Sequence, residues 1–137
     1  MSDVGYTTGV FDLFHIGHLR LLQRAKDHCE TLIVGVTTDE LALKEKGRAP
    51  LTPFAERSEI LASLSIIDRV VPQVSYDKME AWRNLKFHKM FVGDDWKGSD
   101  RWNKLETEMG QVGVKIVYFP YFQGTSSTVL RERLARL

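Results

Sequence analysis

The positions of hydrophobic and polar residues predict strands and helices that alternate along the chain. Short apolar runs rich in β-branched residues are typical of buried strands, and they occur in residues 4–10, 31–37, 69–74, 89–93 and 115–119. Apolar residues three and four apart predict helices between them, in residues 17–29, 53–64, 77–86, 101–109 and 127–137. The sequence therefore predicts five strands and five helices in alternating order.

One charged segment interrupts this alternation. Residues 39–50 end in Gly-Arg-Ala-Pro, which is typical of a loop, and we expect at most one helical turn at their start. The helix that follows has a clear start signal, because Thr52 suits the N-cap and Pro53 suits the first helical position.

Strands that alternate with helices favour parallel pairing through right-handed crossovers. We therefore expect an α/β fold, an open doubly wound parallel sheet, built as one domain from residues 1–137. Ligands of such folds bind outside the carboxyl ends of the strands. That edge is predicted to carry residues 10–18, 37–50, 93–98 and 122–128.

Composition limits the partners. Nineteen Lys and Arg residues balance eighteen Asp and Glu residues, leaving a net charge of +1, so no overall field draws the protein to nucleic acid or to an anionic membrane. Cys29 is the only cysteine, which excludes an intrachain disulfide and any zinc site that needs two cysteines. With no long apolar segment or targeting pattern, we expect a cytoplasmic protein without nucleic-acid or membrane partners.

Residues 9–18 join the first strand to the first helix and contain the pattern His-x-Gly-His. Backbone N–H groups at a helix start favour an anion, and Gly17 lets a phosphate approach the backbone closely. His15 and His18 can donate hydrogen bonds to phosphoryl oxygens, and their protonated forms would add positive charge. An N-cap histidine beside a surface histidine is the structural alternative. The four segments taken together favour phosphate binding.

Three cations alternate in the segment after the second strand. Lys44, Lys46 and Arg48 can project together over a triphosphate or a substrate phosphate, and only Glu45 offsets them. A solvated run of surface charge is the ordinary alternative. The position at the carboxyl edge of the sheet favours phosphate binding.

Residues 93–98, Gly-Asp-Asp-Trp-Lys-Gly, leave the fourth strand with adjacent carboxylates beside an aromatic ring. Asp94 or Asp95 can hold a hydrated Mg²⁺ or a ribose hydroxyl, and Trp96 can contact a base or a substrate edge. A helix N-cap followed by a turn is the alternative.

Residues 124–128, Gly-Thr-Ser-Ser-Thr, place hydroxyls and amides at the start of the last helix. They predict a second phosphate cradle at the positive end of a helix dipole. Ser126 or Ser127 must also cap that helix.

These segments resemble the signature of the nucleotidyltransferase superfamily related to class I aminoacyl-tRNA synthetases, and within it the small cytidylyltransferases. The chain differs from the family pattern at residues 121–123, which are Tyr-Phe-Gln where the family usually has Arg-Thr-Glu. The arginine of that pattern commonly approaches the nucleotide in the family. The resemblance spans nearly the whole chain, through residues 9–18, Lys46-Gly47, Glu56-Arg57, and residues 67–71, 93–98 and 124–128.

The resemblance implies a Rossmann-like fold of the nucleotidyltransferase type and an enzyme that joins CTP to a small phosphorylated alcohol, with glycerol 3-phosphate favoured. It implies direct in-line attack on the α-phosphorus, release of pyrophosphate, and Mg²⁺ bound with CTP. The implied catalytic residues are His15, His18 and Lys46, and Asp12 or Asp94 is a candidate metal ligand. The implied substrate-binding residues are Lys44, Lys46, Asp95 and Trp96. The implied nucleotide-binding residues are Gly9, Val10, Phe11, Asp12, Gly17, Gly93, Asp94, Gly124, Ser126, Ser127 and Thr128.

Two other functions stay open. An adenylyltransferase would use the same phosphate machinery with ATP, and a non-catalytic sensor would use the cradle for binding alone. The family likeness also suggests a homodimer in which Glu56, Arg57 and Asp68 form an ion pair across the subunit contact. An ordinary surface role for these three residues is equally compatible with the sequence.

Overall fold

The computed structural model describes residues 3–120 and 126–137 of the protein. Its strands are β1 (Val4–Gly9), β2 (Thr31–Thr37), β3 (Arg69–Gln73), β4 (Lys89–Gly93) and β5 (Lys115–Phe119). These five strands all pair in parallel, in the order β3-β2-β1-β4-β5. The direction of chain progression reverses between β1 and β4, so the crevice between these two strands is the place where such folds bind ligands.

Helices cover both faces of the sheet. They are α1 (Ile16–Asp27), α2 (Asp39–Lys46), α3 (Phe54–Ala62), α4 (Lys78–Leu85), α5 (Asp100–Gln111) and α6 (Ser127–Ala135). Leu22 of α1 and Leu61 of α3 belong to the core on one face. Met109 of α5 belongs to the core on the other face, and Trp82 of α4 packs against it. The doubly wound α/β fold predicted from the sequence is confirmed.

The prediction of a loop over residues 39–50 is wrong for its first eight residues, which form α2. Thr38 caps this helix by accepting from the Leu41 amide, and acidic residues lie in its first turn. Gly47 ends it in the left-handed conformation, with a φ of 75°. Helix α2 places Lys46 in its last turn, at the carboxyl edge of the sheet.

The start of α3 also differs from the prediction. Pro53 is the N-cap and has no capping side chain of its own, while the Thr52 amide donates to Asp12 instead. A carboxylate from α2 supplies the missing cap, because Asp39 Oδ2 accepts from the Phe54 amide at 3.2 Å. The beginnings of α2 and α3 are therefore tied together.

None of the helices in the described ranges has the length and apolar character that crossing a bilayer requires.

Candidate active site

A cavity of about 700 Å³ opens at the carboxyl edge of the sheet. Most residues predicted for the site line it, whereas Lys44 and Asp94 do not. Gly124 and the side chain of Trp96 lie outside the described part of the structure. The predicted residues that line the cavity are Gly9, Val10, Phe11, Asp12, His15, Gly17, His18, Lys46, Gly93, Asp95, Ser126, Ser127 and Thr128.

The turn between β1 and α1 has an unusual backbone. Phe11 has a φ of 54° and Leu13 a φ of 50°, a region that bulky side chains rarely occupy. Such strain persists only where the surroundings hold the conformation in place. Here the Phe11 side chain is buried in the core, and the intervening Asp12 is held by hydrogen bonds.

Asp12 connects three segments of the site. Its carboxylate is buried and accepts from the amides of Leu51 and Thr52, at 2.8 and 2.9 Å, and from Arg131 of α6 at 2.6 Å. Burial raises the pKa of Asp12, but these donors outweigh it and hold the pKa below its usual value. Asp12 therefore fixes the turn, the approach to α3 and the start of α6 relative to one another.

The two histidines of the His-x-Gly-His pattern form a reciprocal cap at the start of α1. His15 Nδ1 accepts from the Gly17 amide at 3.0 Å, and His18 Nδ1 accepts from the His15 amide at 3.3 Å. Their rings stack with centroids 3.9 Å apart. Because each Nδ1 accepts a hydrogen bond, each neutral ring carries its proton on Nε2, which is available to donate. His15 is thus the N-cap, as the structural alternative holds, and this role leaves the Nε2 group of each ring available for a ligand.

The histidines are uncharged donors near neutral pH. Burial and the neighbouring His15 lower the pKa of His18 to about 4, against a smaller opposing effect of Asp12. Burial also lowers the pKa of His15. In the ligand-free protein near neutral pH, the positive charge of the cavity therefore comes from lysine and arginine. Protonation of the imidazoles as negative charge builds on a phosphoryl group stays a prediction.

The low pKa of His18 has a consequence for stability. The unfolded chain binds a proton at this residue below about pH 6.5, whereas the folded protein does so only near pH 4. The free energy of unfolding should therefore fall as the pH falls through this window, by at most about 1.4 kcal/mol per pH unit from this group. Urea unfolding at several pH values would measure the slope. In His18→Gln the slope of the free energy of unfolding against pH should flatten. An unchanged slope would contradict the lowered pKa of His18.

Cations surround the cavity. Arg20 and Arg24 of α1, Lys46 of α2 and Arg48 line it without an ion pair among the residues that the structure describes. Burial, followed by the positive charges of Arg131 and Arg48, lowers the pKa of Lys46. Several unpaired cations that line one cavity suit a ligand with several negative charges. Arg20 and Arg24 were not predicted, although both carry the charge that such a site needs.

The start of α6 is a second edge of the cavity. Ser126 is its N-cap and accepts from the Val129 amide at 3.1 Å. Ser127 Oγ donates to the Asp12 carbonyl at 2.6 Å, which docks α6 onto the β1–α1 turn. Thr128 also lines the cavity. The first turn of α6 is therefore positioned to face an anion.

Arg57 lies buried behind the site and organises it. Its guanidinium donates to the carbonyls of Val10, Thr37 and Thr52 at 2.7 to 2.8 Å, and to Asp39 Oδ1 at 2.6 Å. Only 1% of its surface is exposed. The suggestion that Arg57 forms an ion pair across a subunit contact is therefore wrong, because its partners lie within its own chain.

Asp68 is also paired within the chain. It lies 2.7 Å from Lys26 Nζ and accepts from the Leu32 amide at the same distance. These contacts lower the pKa of Asp68, the Lys26 hydrogen bond most strongly. The Asp68 side chain remains 41% exposed beside these contacts, so its place in a subunit contact stays a prediction.

The donor set fits Mg²⁺ brought by a nucleotide better than a metal held by protein alone. The described residues contain no cluster of three or more His, Cys, Asp or Glu side chains that could hold a metal ion. The oxygens of Asp12, a candidate ligand, already accept from the amides and the guanidinium described above. Asp95 lines the cavity and Asp94 does not. Mg²⁺ commonly uses one or two carboxylates, water and substrate phosphates, and Asp95 fits this pattern.

The comparison with protein families decides the assignment. A model of the cytidylyltransferase-like family matches residues 6–133. The chain belongs to the cytidylyltransferase-like family. The resemblance noted from the sequence is thereby confirmed, and the protein is an enzyme, a cytidylyltransferase.

Individual relatives agree with this placement. The cytidylyltransferase is 33% identical to glycerol-3-phosphate cytidylyltransferase of Bacillus spizizenii over 132 residues, 96% of each chain. It is 34% identical to FAD synthase of Pyrococcus abyssi over 116 residues, 82% of this chain and 77% of that protein. The solved lipopolysaccharide core biosynthesis protein of Thermoplasma volcanium has the same fold. Its TM-score is 0.75 at 23% identity, covering 91% of this chain and all of that one.

Proposed function

We propose that this cytidylyltransferase joins CTP to sn-glycerol 3-phosphate and releases CDP-glycerol and pyrophosphate. The observation that carries the proposal is the 33% identity, over 96% of both chains, to glycerol-3-phosphate cytidylyltransferase. The cavity supports it, because two neutral imidazoles, several unpaired cations and the starts of α1 and α6 line it.

The proposed reaction is a single in-line displacement. An oxygen of the acceptor phosphate forms a bond to the α-phosphorus of CTP, and the bond from that phosphorus to the bridging oxygen of pyrophosphate breaks. No residue of the protein forms a covalent intermediate. Catalysis then rests on positioning and on stabilising charge that develops on the phosphoryl oxygens.

Different residues of the cavity contact the α-phosphate, the phosphate chain and the leaving pyrophosphate in the proposed reaction. His15 and His18 donate from Nε2 to oxygens of the α-phosphate, while the start of α6 holds the phosphate chain. Lys46, Arg48 and Arg131 neutralise the charge of the leaving pyrophosphate, since all three line the cavity. Mg²⁺ bound with the triphosphate would supply further neutralisation, with Asp95 as the carboxylate that contacts it or its water.

Pyrophosphate release tests the proposal. Each of the four nucleoside triphosphates is paired with glycerol, ribitol, choline, ethanolamine and pantetheine phosphates. Among these pairs, we expect turnover with CTP and glycerol 3-phosphate. Preferential use of ATP would move the assignment to an adenylyltransferase, a possibility that the similarity to a FAD synthase makes worth including. No pyrophosphate from any pair, with nucleotide binding by calorimetry, would favour a sensor.

We also propose a homodimer working in the cytoplasm. With Arg57 and Asp68 paired internally, the support for a dimer is the family likeness and the tendency of small proteins to form two-fold pairs. Light scattering should give a mass about twice 15.7 kDa. A mass near 15.7 kDa at micromolar concentration would contradict the dimer, and cell fractionation tests the location.

A further inference from the structure

Arg24 of α1 lines the cavity, and the proposed reaction does not use it. Its guanidinium group lies over the ring of Phe119, 4.8 Å from the ring centroid. Within residues 3–120 and 126–137 it forms no ion pair. A cation–π contact of this kind leaves most of the five guanidinium N–H groups available to a ligand. The guanidinium group therefore lies beside the cavity with donors that the described residues do not occupy.

Phe119 is a fixed support for this contact. It is the last residue of β5, and its side chain is buried in the core. Its ring stacks on the ring of Phe91, with centroids 5.5 Å apart and planes 9° apart. Because the core holds the Phe119 ring, the Arg24 side chain rests on a surface that is in place before a ligand binds. Such preorganisation lowers the entropy that binding costs.

The phosphate-binding residues of the proposed reaction lie elsewhere in the cavity. His18 is in the first turn of α1, and Arg24 lies six residues later, about 9 Å farther along the helix axis. Lys46 and Arg131 belong to α2 and α6. The nucleoside and the pyrophosphate of CTP are attached through different oxygens of the α-phosphate. The nucleoside can therefore extend along α1 toward Arg24 while the pyrophosphate lies among the cations of α2 and α6.

Apolar side chains line the cavity beside Arg24. Leu21 lies one turn earlier on the same face of α1, and it lines the cavity together with Phe119 and Pro120. Gly93 of β4 pairs with Phe119 in the sheet. Apart from its chain neighbours, no described residue has an atom within 4 Å of the place that a Cβ of Gly93 would occupy, so the surface there is open. An open apolar surface beside a cation suits a heterocyclic base better than a phosphate.

The Watson–Crick edge of cytosine matches a guanidinium group. Cytosine presents two adjacent acceptors, O2 and N3, and arginine presents N–H donors in a fixed fork. Uracil carries an N3–H group where cytosine has an acceptor, so one donor of the fork would face another donor. Adenine presents a single acceptor, N1, beside its amino group. A guanidinium fork at this edge therefore favours cytosine over both of these bases.

We propose that Arg24 selects the base of the nucleotide by donating to O2 and N3 of cytosine, while the Phe119 ring supports its guanidinium group. This inference rests on the proposed function, because it requires CTP in the cavity. The base takes no part in the transfer, so the contact is the same in the ground state and in the transition state. Its loss should therefore raise the KM for CTP and leave kcat little changed. Arg24 is then a specificity-determining residue.

The test compares nucleotides across matched variants. The values of kcat/KM for CTP, UTP and 3-deaza-CTP are measured with glycerol 3-phosphate, and 3-deaza-CTP has a C–H group in place of the N3 acceptor. Arg24→Met removes the charge and the donors, whereas Arg24→Lys keeps the charge without the fork. Arg83→Met replaces an exposed arginine of α4 outside the cavity and is the control. Because Arg24 is exposed, both of its variants should unfold at a Tm near that of the wild type.

In the wild type, kcat/KM for CTP should exceed the values for UTP and 3-deaza-CTP by about tenfold or more, the usual discrimination of a bidentate arginine contact with a base. In Arg24→Met and Arg24→Lys, CTP and 3-deaza-CTP should have nearly equal kcat/KM, because the donor that distinguishes them is gone. The KM for CTP should rise in both variants while kcat stays near that of the wild type. Arg83→Met should keep the ratios of the wild type.

Two results would overturn the inference and leave cytidylyl transfer standing. In the first, the wild type uses CTP and 3-deaza-CTP equally well. In the second, replacing Arg24 weakens both nucleotides by the same factor, which would place its guanidinium group on a phosphate. A wild type that transfers no cytidylyl group to glycerol 3-phosphate would overturn the proposed function together with the inference.

Discussion

Replacing His18 with alanine should lower kcat by about a hundredfold or more, the usual cost of losing one preorganised donor to a developing oxyanion. His18 is neutral near pH 7 because its pKa is about 4, and its Nδ1 is occupied by the His15 amide. Its Nε2 proton is therefore fixed in place before the substrate arrives. An interaction made mainly in the transition state lowers kcat, whereas a ground-state contact chiefly raises KM.

The measurement is steady-state pyrophosphate release, with CTP binding followed by calorimetry. His28→Ala is the control, since His28 is exposed at the other end of α1 and its ring contacts the Arg24 carbonyl. That variant should keep its kcat. If a folded His18→Ala kept a kcat near that of the wild type and lost only CTP affinity, His18 would be a binding residue and not a catalytic one.

Replacing Arg57 with methionine should lower the free energy of unfolding by about 3 kcal/mol or more. Methionine keeps the apolar stem but leaves the carbonyls of Val10, Thr37 and Thr52 without their buried donor. Asp39 also loses its partner at 2.6 Å. Because these groups belong to the β1–α1 turn, the end of β2 and the approach to α3, activity should fall together with stability.

Urea unfolding provides the measurement, and Arg83→Met provides the control. Arg83 is exposed on α4, so its replacement should change stability by less than about 0.5 kcal/mol. A loss below about 1 kcal/mol in Arg57→Met would mean that water or a rearranged loop satisfies the three carbonyls. The role of Arg57 as the organiser of the site would then be wrong.

The sheet was predictable because its strands carry the strongest local signal. A buried parallel strand such as Thr31–Thr37 reads as a continuous apolar run, and β4 and β5 begin and end at the predicted residues. Parallel pairing then places the ends of all strands at one edge. This rule predicts that His15, Lys46 and Ser126 lie at the same edge of the sheet, and all three line the cavity.

Helix α2 was missed because it lacks a wide apolar stripe. Ala42 is its only buried residue among the eight, so hydrophobic periodicity gives no signal. The Thr38 cap, the acidic first turn and Gly47 determine its ends. These signals were visible in the sequence, and capping would have indicated a helix where periodicity did not.

The roles of Arg57 and Asp12 depend on burial, which residue type alone does not indicate. Arginine is usually exposed, yet Arg57 is enclosed by backbone carbonyls from three separate segments. The lowered pKa of His18 likewise arises mainly from its surroundings in the folded protein. Such properties follow from tertiary contacts between residues far apart in the sequence.

The reaction with glycerol 3-phosphate labelled with ¹⁸O in its phosphate tests the proposed transfer most directly. Mass spectrometry of the products from CTP and wild-type enzyme should find all of the label in CDP-glycerol and none in pyrophosphate. This result is expected because an acceptor oxygen becomes the new bridge to the α-phosphorus, while the CTP oxygen that joined the α- and β-phosphorus leaves with pyrophosphate. Label in pyrophosphate, or CTP consumed to CMP without CDP-glycerol, would contradict cytidylyl transfer by in-line attack.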